Sequence, residues 1–451
     1  MMRKLVLFVA LIVLTQVCFG SLSDSLQRPA VRGLLSVTGS MNAQKAGKVF
    51  LWESFGRNVA KLDSAQLVNG AFAFNERVFE LGVYMVGFNE NNMCPIILNP
   101  NEHSVELQFA TVKLESSMSS SNSRENQGWS AYMQQEPALL KAIKDAKVGA
   151  AKNPEKKLDF EKQLAVKEKE LINLQNKVIS DYPNTQLAKL IGWKQEPNRT
   201  DIRKYWDNVD LGDVSIARSR VLSDRIESFM RTFSKGSDSG FYSCIEVVVE
   251  RAKANDAVLE FALNQMLVGF YESNMENVCM YIIDNYINGD ACGDADLSNF
   301  VKSTAESIQR LSIGHTPPNI VLNDVQGIEV DLFEMVAKNK FTLVLFWSSY
   351  CEHCKGEAPE VTACFNAWNK KGFDILGVSI DRNADAWRAA VAERGFIFRN
   401  VCGMKDFQSP VAKDYRITRT PAFFLVNSKG EIVLKPKSIR EVQTYLSKNL
   451  K

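Results

Sequence analysis

A pair of cysteines, Cys351 and Cys354, most constrains the fold of this 451-residue chain, because it directly follows the apolar run at residues 343–347. Such a short, uninterrupted run is typical of a buried strand. The first cysteine is then expected at the N-terminus of the next helix, where free N–H groups and the helix dipole favour a thiolate over a thiol. The second lies one helical turn further on, within reach of a disulfide. The pair is therefore predicted to exchange electrons with another disulfide.

Zinc sites also use the Cys-x-x-Cys spacing, but they need further cysteine or histidine ligands. The chain has three histidines, no second Cys-x-x-Cys and no His-x-x-x-His pattern, so neither a metal nor another cofactor is predicted. A disulfide between Cys279 and Cys292 and two ordinary buried thiols are both compatible with the sequence. The cysteines whose pairing the sequence leaves open are Cys94, Cys244, Cys279, Cys292, Cys364 and Cys402.

Residues 1–20 have the pattern of a secretory signal peptide. Two basic residues precede an apolar run at residues 5–14, and cleavage is expected after Gly20. A lipidated Cys18 is the less favoured alternative, because Val17 in front of it is not a small residue. No later stretch is long enough to span a bilayer. We therefore expect a mature chain without a transmembrane span, located in a bacterial periplasm.

Length and charge limit the number of domains and the class of partner. A chain of 451 residues is expected to form roughly two to four domains. Its 54 basic and 52 acidic residues give a net charge of +2. Nucleic acid is therefore not a predicted partner, because no basic surplus exists to neutralise phosphates.

The hydrophobic pattern divides the chain into three regions after the leader. Residues 28–115 contain short strand-like segments and a hairpin signal at Asn69-Gly70, which predict an antiparallel, β-sandwich-like module. The serine-rich residues 116–121 are predicted to form a flexible linker. Residues 124–312 have helical periodicity, and residues 313–451 alternate between strands and helices. The predicted fold class is a multi-domain α+β chain with a C-terminal α/β domain.

The helical region contains a long charged helix at about residues 153–180, with Asn153 as its N-cap and a proline at its first position. Apolar residues recur every seven positions along it, which allows an interchain coiled coil or an intramolecular hairpin with residues 139–146. The hairpin is favoured, because the repeat is short and Lys167 interrupts it. No site chemistry is found in this region. Further helices are predicted at residues 214–233, 244–254, 257–271 and 275–287.

In the C-terminal region, the predicted order is βαβ, then a β-hairpin and a terminal helix. Strands are expected at 343–347 and 373–380, and a helix at 384–394, followed by a short helix that begins at Ser409-Pro410. The hairpin is expected at residues 422–434. Ser438 and Glu441 are predicted to form a capping box on the last helix.

This order, with the dithiol at the first helix and Thr420-Pro421 before the hairpin, resembles the thioredoxin fold. Residues 351–359, CEHCKGEAP, resemble the Cys-x-x-Cys-x-x-Glu-x-Pro pattern of the TlpA/ResA-like thiol–disulfide oxidoreductases. The resemblance covers about residues 314–451. The two preceding regions more loosely resemble regions of unknown function in Bacteroidetes-type secreted proteins. The implied function is an extracytoplasmic thiol–disulfide oxidoreductase of the protein-disulfide reductase or isomerase type, acting on protein dithiols or disulfides. It would exchange electrons with an upstream membrane or periplasmic thiol donor or acceptor.

The resemblance assigns catalytic roles to three residues. Cys351, nearer the helix N-terminus, is the expected attacking thiolate, and Cys354 is the expected resolving thiol. Glu357 is expected to move protons to or from Cys354. Thioredoxin itself has a buried aspartate on the strand before the motif, whereas this chain has Leu345 at the matching position. Glu357 is the available substitute.

Substrate contacts are expected from residues around the dithiol. Thr420 is expected to pair with a substrate chain through its backbone beside a cis Pro421. Trp347 and Tyr350 are expected to form an apolar rim, although Trp347 is equally compatible with the core. His353 is expected to tune the thiolate. Pro359 is expected to kink the helix and have no catalytic role.

Two other classes of function compete with disulfide exchange. A peroxiredoxin would need Pro-x-x-x-Thr-x-x-Cys, and this chain has Val344 and Ser348 at the proline and threonine positions. A non-enzymatic binding protein would use the first two regions, with the redox domain docking a partner. The missing proline disfavours the peroxiredoxin, and the intact Cys-x-x-Cys argues against the binding protein.

Overall fold

The computed structural model describes residues 31–42, 44–289 and 297–450. They form two compact units, one up to Val301 and the other from Lys302. The predicted signal peptide, with Cys18, lies outside the described residues, and so does Cys292. In the part of the chain that is described, no helix is both long and apolar enough to cross a membrane.

The first unit begins with a nine-stranded sheet in the order β7-β6-β2-β3-β4-β1-β8-β9, with β5 also paired to β1. Asn69 and Gly70 have positive φ angles of 53° and 83° in the tight turn between β3 and β4, which confirms the predicted hairpin. The strands are β1 (Arg32–Met41), β2 (Ala46–Phe55), β3 (Asn58–Val68), β4 (Ala71–Ala73), β5 (Arg77–Glu80), β6 (Gly82–Asn89), β7 (Asn92–Leu98), β8 (Ser104–Phe109) and β9 (Met118–Ser120).

One strand pair departs from the antiparallel pattern expected for this module, because β1 and β8 run parallel. Residues 99–103 connect β7, at one end of the strand order, to β8, which lies next to the other end. Five residues span at most about 18 Å, so the sheet must curl to bring these strands close. This curling places β8 beside β1 in the same direction.

The serine-rich stretch at 116–121 is not the flexible linker that its composition predicts. It contains the end of helix α1 (Leu114–Ser117) and strand β9, which pairs antiparallel with β8. Met118 is 1% exposed, and the Ser120 hydroxyl donates to the Glu106 carbonyl at 2.7 Å. One buried methionine and hydroxyl–backbone hydrogen bonds therefore give this polar segment a fixed structure.

The helical region packs its two long helices, α3 and α4, against each other as an intramolecular hairpin, which confirms the favoured alternative. Ile143 and Val178 are buried on these helices. Asn153 is the N-cap position of a 3-10 turn (Pro154–Lys156) that leads directly into α4, with Pro154 at its first position as predicted. Its side chain makes no capping hydrogen bond and donates instead to the Gly149 carbonyl of the preceding helix. The helices are α2 (Arg124–Met133), α3 (Glu136–Lys152), α4 (Lys157–Asp181), α5 (Gln186–Lys194), α6 (Arg220–Phe233), α7 (Asp238–Ala252), α8 (Asp256–Glu272), α9 (Glu276–Ile282) and α10 (Asn299–Arg310).

Buried polar contacts join the sheet to the helical region within the first unit. The Asn126 amide bonds both the N–H (2.9 Å) and the carbonyl (2.7 Å) of Ile97 on the edge strand β7. Arg218, 3% exposed, forms ion pairs with Glu53 and Glu80 of the sheet. These contacts satisfy an open strand edge and a buried charge, which would otherwise be costly.

The second unit contains a five-stranded sheet in the order β14-β13-β12-β15-β16. Strands β12, β13 and β14 are parallel, while β15 and β16 are antiparallel to their neighbours. The predicted strands and helices are present, but β10, β11, β14 and α11 were not predicted. The strands are β10 (Val321–Asn323), β11 (Glu329–Asp331), β12 (Phe341–Trp347), β13 (Phe373–Ser379), β14 (Arg399–Cys402), β15 (Ala422–Asn427) and β16 (Ile432–Leu434). The helices are α11 (Leu332–Lys338), α12 (Glu352–Trp368), α13 (Ala384–Glu393), α14 (Pro410–Asp414) and α15 (Ile439–Asn449).

Strand β12 is buried on both faces, which explains its uninterrupted apolar run. Leu345 and Trp347 face a core that α12, α13 and α15 complete, whereas Phe346 packs against Tyr415 on the other face. The predicted capping box on α15 does not form. Ser438 is the N-cap residue, but its side chain makes no capping hydrogen bond, and Glu441 accepts from the N–H of Lys437 rather than from that of Ser438.

Candidate active site

The dithiol lies where β12 ends and α12 begins, as its spacing predicts. Cys351 is the N-cap of α12, and its Sγ accepts a hydrogen bond from the Cys354 N–H at 3.1 Å. The two cysteines form a disulfide with a Cα–Cα distance of 5.3 Å. Cys351 is partly exposed, while Cys354 is 4% exposed. The sulfur of Cys351 is therefore more accessible than that of Cys354.

Thr420 and Pro421 lie beside the outer cysteine. The peptide bond between them is cis, which confirms the prediction, and the Thr420 carbonyl oxygen is 3.4 Å from Cys351 Sγ. The segment directly precedes β15, which pairs with β12. Pairing of these two strands thus brings residues almost seventy positions apart in the sequence to one site.

A narrow cavity beside Cys354 contains Glu357 as its one carboxylate. Burial raises the Glu357 pKa, opposed by a hydrogen bond that its Oε2 accepts from the Ile439 N–H at 3.3 Å. Leu345 also lines the cavity, so this strand position supplies no carboxylate. The full lining is Leu345, Trp347, Cys354, Glu357, Val361, Phe396, Pro421 and Phe423.

The residues expected to contact substrate differ in exposure. Tyr350 is 73% exposed, and His353 is also exposed. Trp347 is fully buried, packs edge-on against Phe396 and donates from Nε1 to Asn400 Oδ1 at 3.1 Å. A rim position for Trp347 is therefore wrong. It is the core residue of the alternative, and it lines the cavity behind Cys354.

Asp381 and Arg394 also contact the loop before the dithiol, and sequence reasoning missed both. Asp381 accepts hydrogen bonds from Ser348 and Ser349, and Arg394 donates to the carbonyls of the same two serines. One signal was available for Asp381. It follows β13, whose carboxyl end lies beside that of the parallel β12, and polar sites collect at such ends. No local pattern marks Arg394.

Four other cysteines within the described residues are buried free thiols. Burial raises the pKa of Cys364 to about 12 and that of Cys244 to about 12, so both stay protonated at neutral pH. A protonated, buried thiol is a poor nucleophile. The four are Cys94, Cys244, Cys364 and Cys402, and Cys279 is buried as well.

Comparison with known proteins relates both ends of the chain to families. Residues 313–435 match the AhpC/TSA family, and residues 35–129 match a domain of unknown function, DUF4369. A thiol-disulfide oxidoreductase ResA of Bacillus cereus is 24% identical over 151 residues, which are 31% of this chain and 80% of that protein. ResA of Bacillus subtilis is 28% identical over 125 residues, 28% of this chain and 67% of that protein.

A solved structure, the thioredoxin domain of a thiol-disulfide oxidoreductase from Bacteroides vulgatus, is 33% identical to this chain. The match covers 31% of this chain and 99% of that domain, with a TM-score of 0.30. The family match and the ResA relatives both fall on the unit that contains the dithiol. The C-terminal domain is therefore a thioredoxin-like domain of the AhpC/TSA family, and the chain is a thiol–disulfide oxidoreductase related to the ResA proteins.

Proposed function

We propose that the chain exchanges disulfides with extracytoplasmic protein substrates through Cys351 and Cys354. The observation that carries this proposal is the asymmetry of the pair. The outer sulfur lies at a helix N-terminus beside the Thr420 carbonyl, and the inner one is almost fully buried. The leader sequence supports the location, because proteins with secretory signals leave the cytoplasm.

The exchange proceeds in two thiol–disulfide steps when the chain acts as a reductase. The Cys351 thiolate attacks one sulfur of the substrate disulfide, forms a mixed disulfide and releases one substrate thiolate. Cys354 then loses its proton, and its thiolate attacks Cys351 Sγ. This step forms the Cys351–Cys354 disulfide and releases the second substrate thiolate. Two electrons and two protons pass from the dithiol to the substrate, and an extracytoplasmic thiol donor must restore the dithiol.

The surrounding residues have distinct proposed roles in these steps. Glu357 accepts the Cys354 proton from within the cavity. Thr420 pairs with the extended substrate chain beside Pro421, and the exposed Tyr350 and His353 contact it at the entrance. We also propose that residues 28–115, 124–312 and 313–451 are separate domains, the last of which performs the exchange.

Insulin reduction by the purified mature chain, with dithiothreitol as electron donor, tests the proposal. Cys351→Ser should abolish turnover, and Cys354→Ser should accumulate mixed disulfides with periplasmic proteins. Cys364→Ala is the matched control, because Cys364 is a buried free thiol on the same helix, and it should keep wild-type turnover. Wild-type turnover by Cys351→Ser would contradict the assignment. Peroxide consumption without a dithiol substrate would indicate a peroxidase instead.

A further inference from the structure

The loop between β12 and α12 lies against a buried carboxylate. Asp381 is 2% exposed. It accepts hydrogen bonds from the Ser348 hydroxyl (2.9 Å), the Ser349 N–H (3.0 Å) and the Ser349 hydroxyl (2.8 Å). The Ser379 hydroxyl donates to it at 2.7 Å. Hydrogen bonds to a charged acceptor are stronger than those between neutral groups. Asp381 therefore holds the N–H and hydroxyl donors of Ser348 and Ser349 in place.

The guanidinium of Arg394 holds the backbone carbonyl groups of the same two residues. Arg394 donates to the Ser348 carbonyl at 3.0 Å and to the Ser349 carbonyl at 2.8 Å, and it lies 4.8 Å from the Trp347 ring centroid. The Ser348 carbonyl also accepts the N–H of Cys351 at 3.2 Å. Arg394 therefore polarises a carbonyl that holds the attacking cysteine directly.

The two charged groups bind residues two and three positions before Cys351, so we expect them to act on its sulfur as well as on the loop. Consecutive Cα atoms are about 3.8 Å apart, so the Cα of Ser349 is at most about 8 Å from that of Cys351. A partly buried positive charge such as Arg394 stabilises a nearby thiolate, and a buried negative charge such as Asp381 destabilises it. Arg394 and Asp381 should thus act in opposite directions.

We propose that Asp381 and Arg394 form a charged clamp on the loop between β12 and α12, here called the redox loop. The clamp positions this loop and sets the reactivity of the Cys351 thiolate. The clamp rests on the proposed role of Cys351. Asp381 and Arg394 are positioning residues, because they act through Ser348 and Ser349. Other charged groups stay unchanged in every comparison below, so their effects cancel. These groups are Glu352, His353, Lys355, Glu357, Glu393 and Arg419.

The experiment measures the rate at which Cys351 reacts with DTNB at pH 6 in the reduced full mature chain. A Cys354→Ser background makes Cys351 the reacting thiol. Arg394→Gln should slow the reaction by about three- to tenfold, and Asp381→Asn should accelerate it by about threefold or more, since one unit of pKa is tenfold in thiolate fraction. Arg394→Lys keeps the charge and should return the rate towards wild type.

Two substitutions on α13 provide matched controls. Arg388 and Asp385 form an exposed pair on that helix, and neither touches the redox loop in the hydrogen bonds described above. Arg388→Gln and Asp385→Asn should leave the DTNB rate within about twofold of wild type, because solvent screens exposed charges. Near-UV circular dichroism of each variant identifies any that fail to fold.

Opposite changes in the Arg394→Gln and Asp381→Asn rates support the clamp. Rate changes in the same direction would overturn it, because a disordered loop affects both variants alike. Unchanged rates in both variants would also overturn it. Insulin reduction by the wild-type chain separates this test from the proposed function. If the wild-type chain does not reduce insulin but the two variants change the DTNB rate in opposite directions, the proposed function is refuted and the clamp remains supported.

Discussion

Replacing Glu357 by glutamine separates the two steps of the proposed exchange. The Glu357 side chain lines the cavity that contains Cys354, and burial raises its pKa. A carboxylate with a raised pKa is a stronger base than an exposed one, and it is well placed to take the Cys354 proton. Glutamine keeps the shape and removes the base. The attack of Cys351 on a substrate should therefore be unchanged, and the attack of Cys354 on Cys351 should be slower.

The size of the effect follows from the half-buried position of Glu357. A positioned general base typically contributes about 10²- to 10⁴-fold. Water also reaches this carboxylate and takes over part of its role, so we expect an effect at or below the lower end of that range, about 10- to 100-fold at pH 6–7. The difference should vanish above about pH 9, where a cysteine thiol ionises without help.

Stopped-flow mixing of the reduced chain with a fluorescent peptide disulfide resolves both steps. Glu360→Gln is the matched control, because Glu360 lies on the same helix but pairs at the surface with Arg440. Equal slowing of both steps, or unchanged resolution at every pH, would refute the reasoning. A loss of stability in Glu357→Gln would not account for a slower attack of Cys354 on Cys351. Since folding raises the Glu357 pKa, its charge costs stability above that pKa, and the glutamine variant should be at least as stable at pH 7.

Two substitutions test the buried polar contacts of the first unit. Arg218→Ala removes the ion-pair partner of Glu53 and one of the two partners of Glu80, which keeps Arg32, and should lower the free energy of unfolding by about 3–5 kcal/mol. Arg251→Ala removes an exposed pair and should cost less than about 1 kcal/mol. Urea denaturation measures both, and similar costs would contradict the burial argument. Asn126→Ala should cost about 2–4 kcal/mol by exposing the backbone of Ile97. Amide hydrogen exchange should become faster at Ile97, and an unchanged rate would count against that role.

The parts of the fold that the sequence predicts are those with strong local patterns. The continuous apolar run of β12 and the Asn69-Gly70 turn each determine their local structure without distant partners. The errors occur where distant contacts override local composition. Residues 116–121 look like a linker, yet β9 forms because β8 offers a partner and Met118 is buried. Strand β14 has only four residues, too few for a period to be recognised.

The candidate site shows the same division. The sequence predicts both cysteines and the cis bond at Pro421, because a short motif or a known fold position marks each of them. Asp381 and Arg394 are brought to the loop by the packing of β13 and the end of α13 against β12, and no pattern in the sequence encodes that packing. The burial of Trp347 likewise depends on Phe396 and Asn400, more than forty residues away.

The position of the cavity carboxylate determines what it can do. An aspartate at the Leu345 position would project from β12 beneath the disulfide, whereas Glu357 reaches the same cavity from α12, one turn beyond Cys354. Its Oε2 accepts the Ile439 N–H at the start of α15, so the last helix holds the base in place. In the proposed exchange, proton transfer from Cys354 to Glu357 would thus depend on the docking of α15 against α12, whereas the reactivity of Cys351 would depend on the proposed Asp381–Arg394 clamp. On this proposal, separate sets of contacts control the two steps of the exchange.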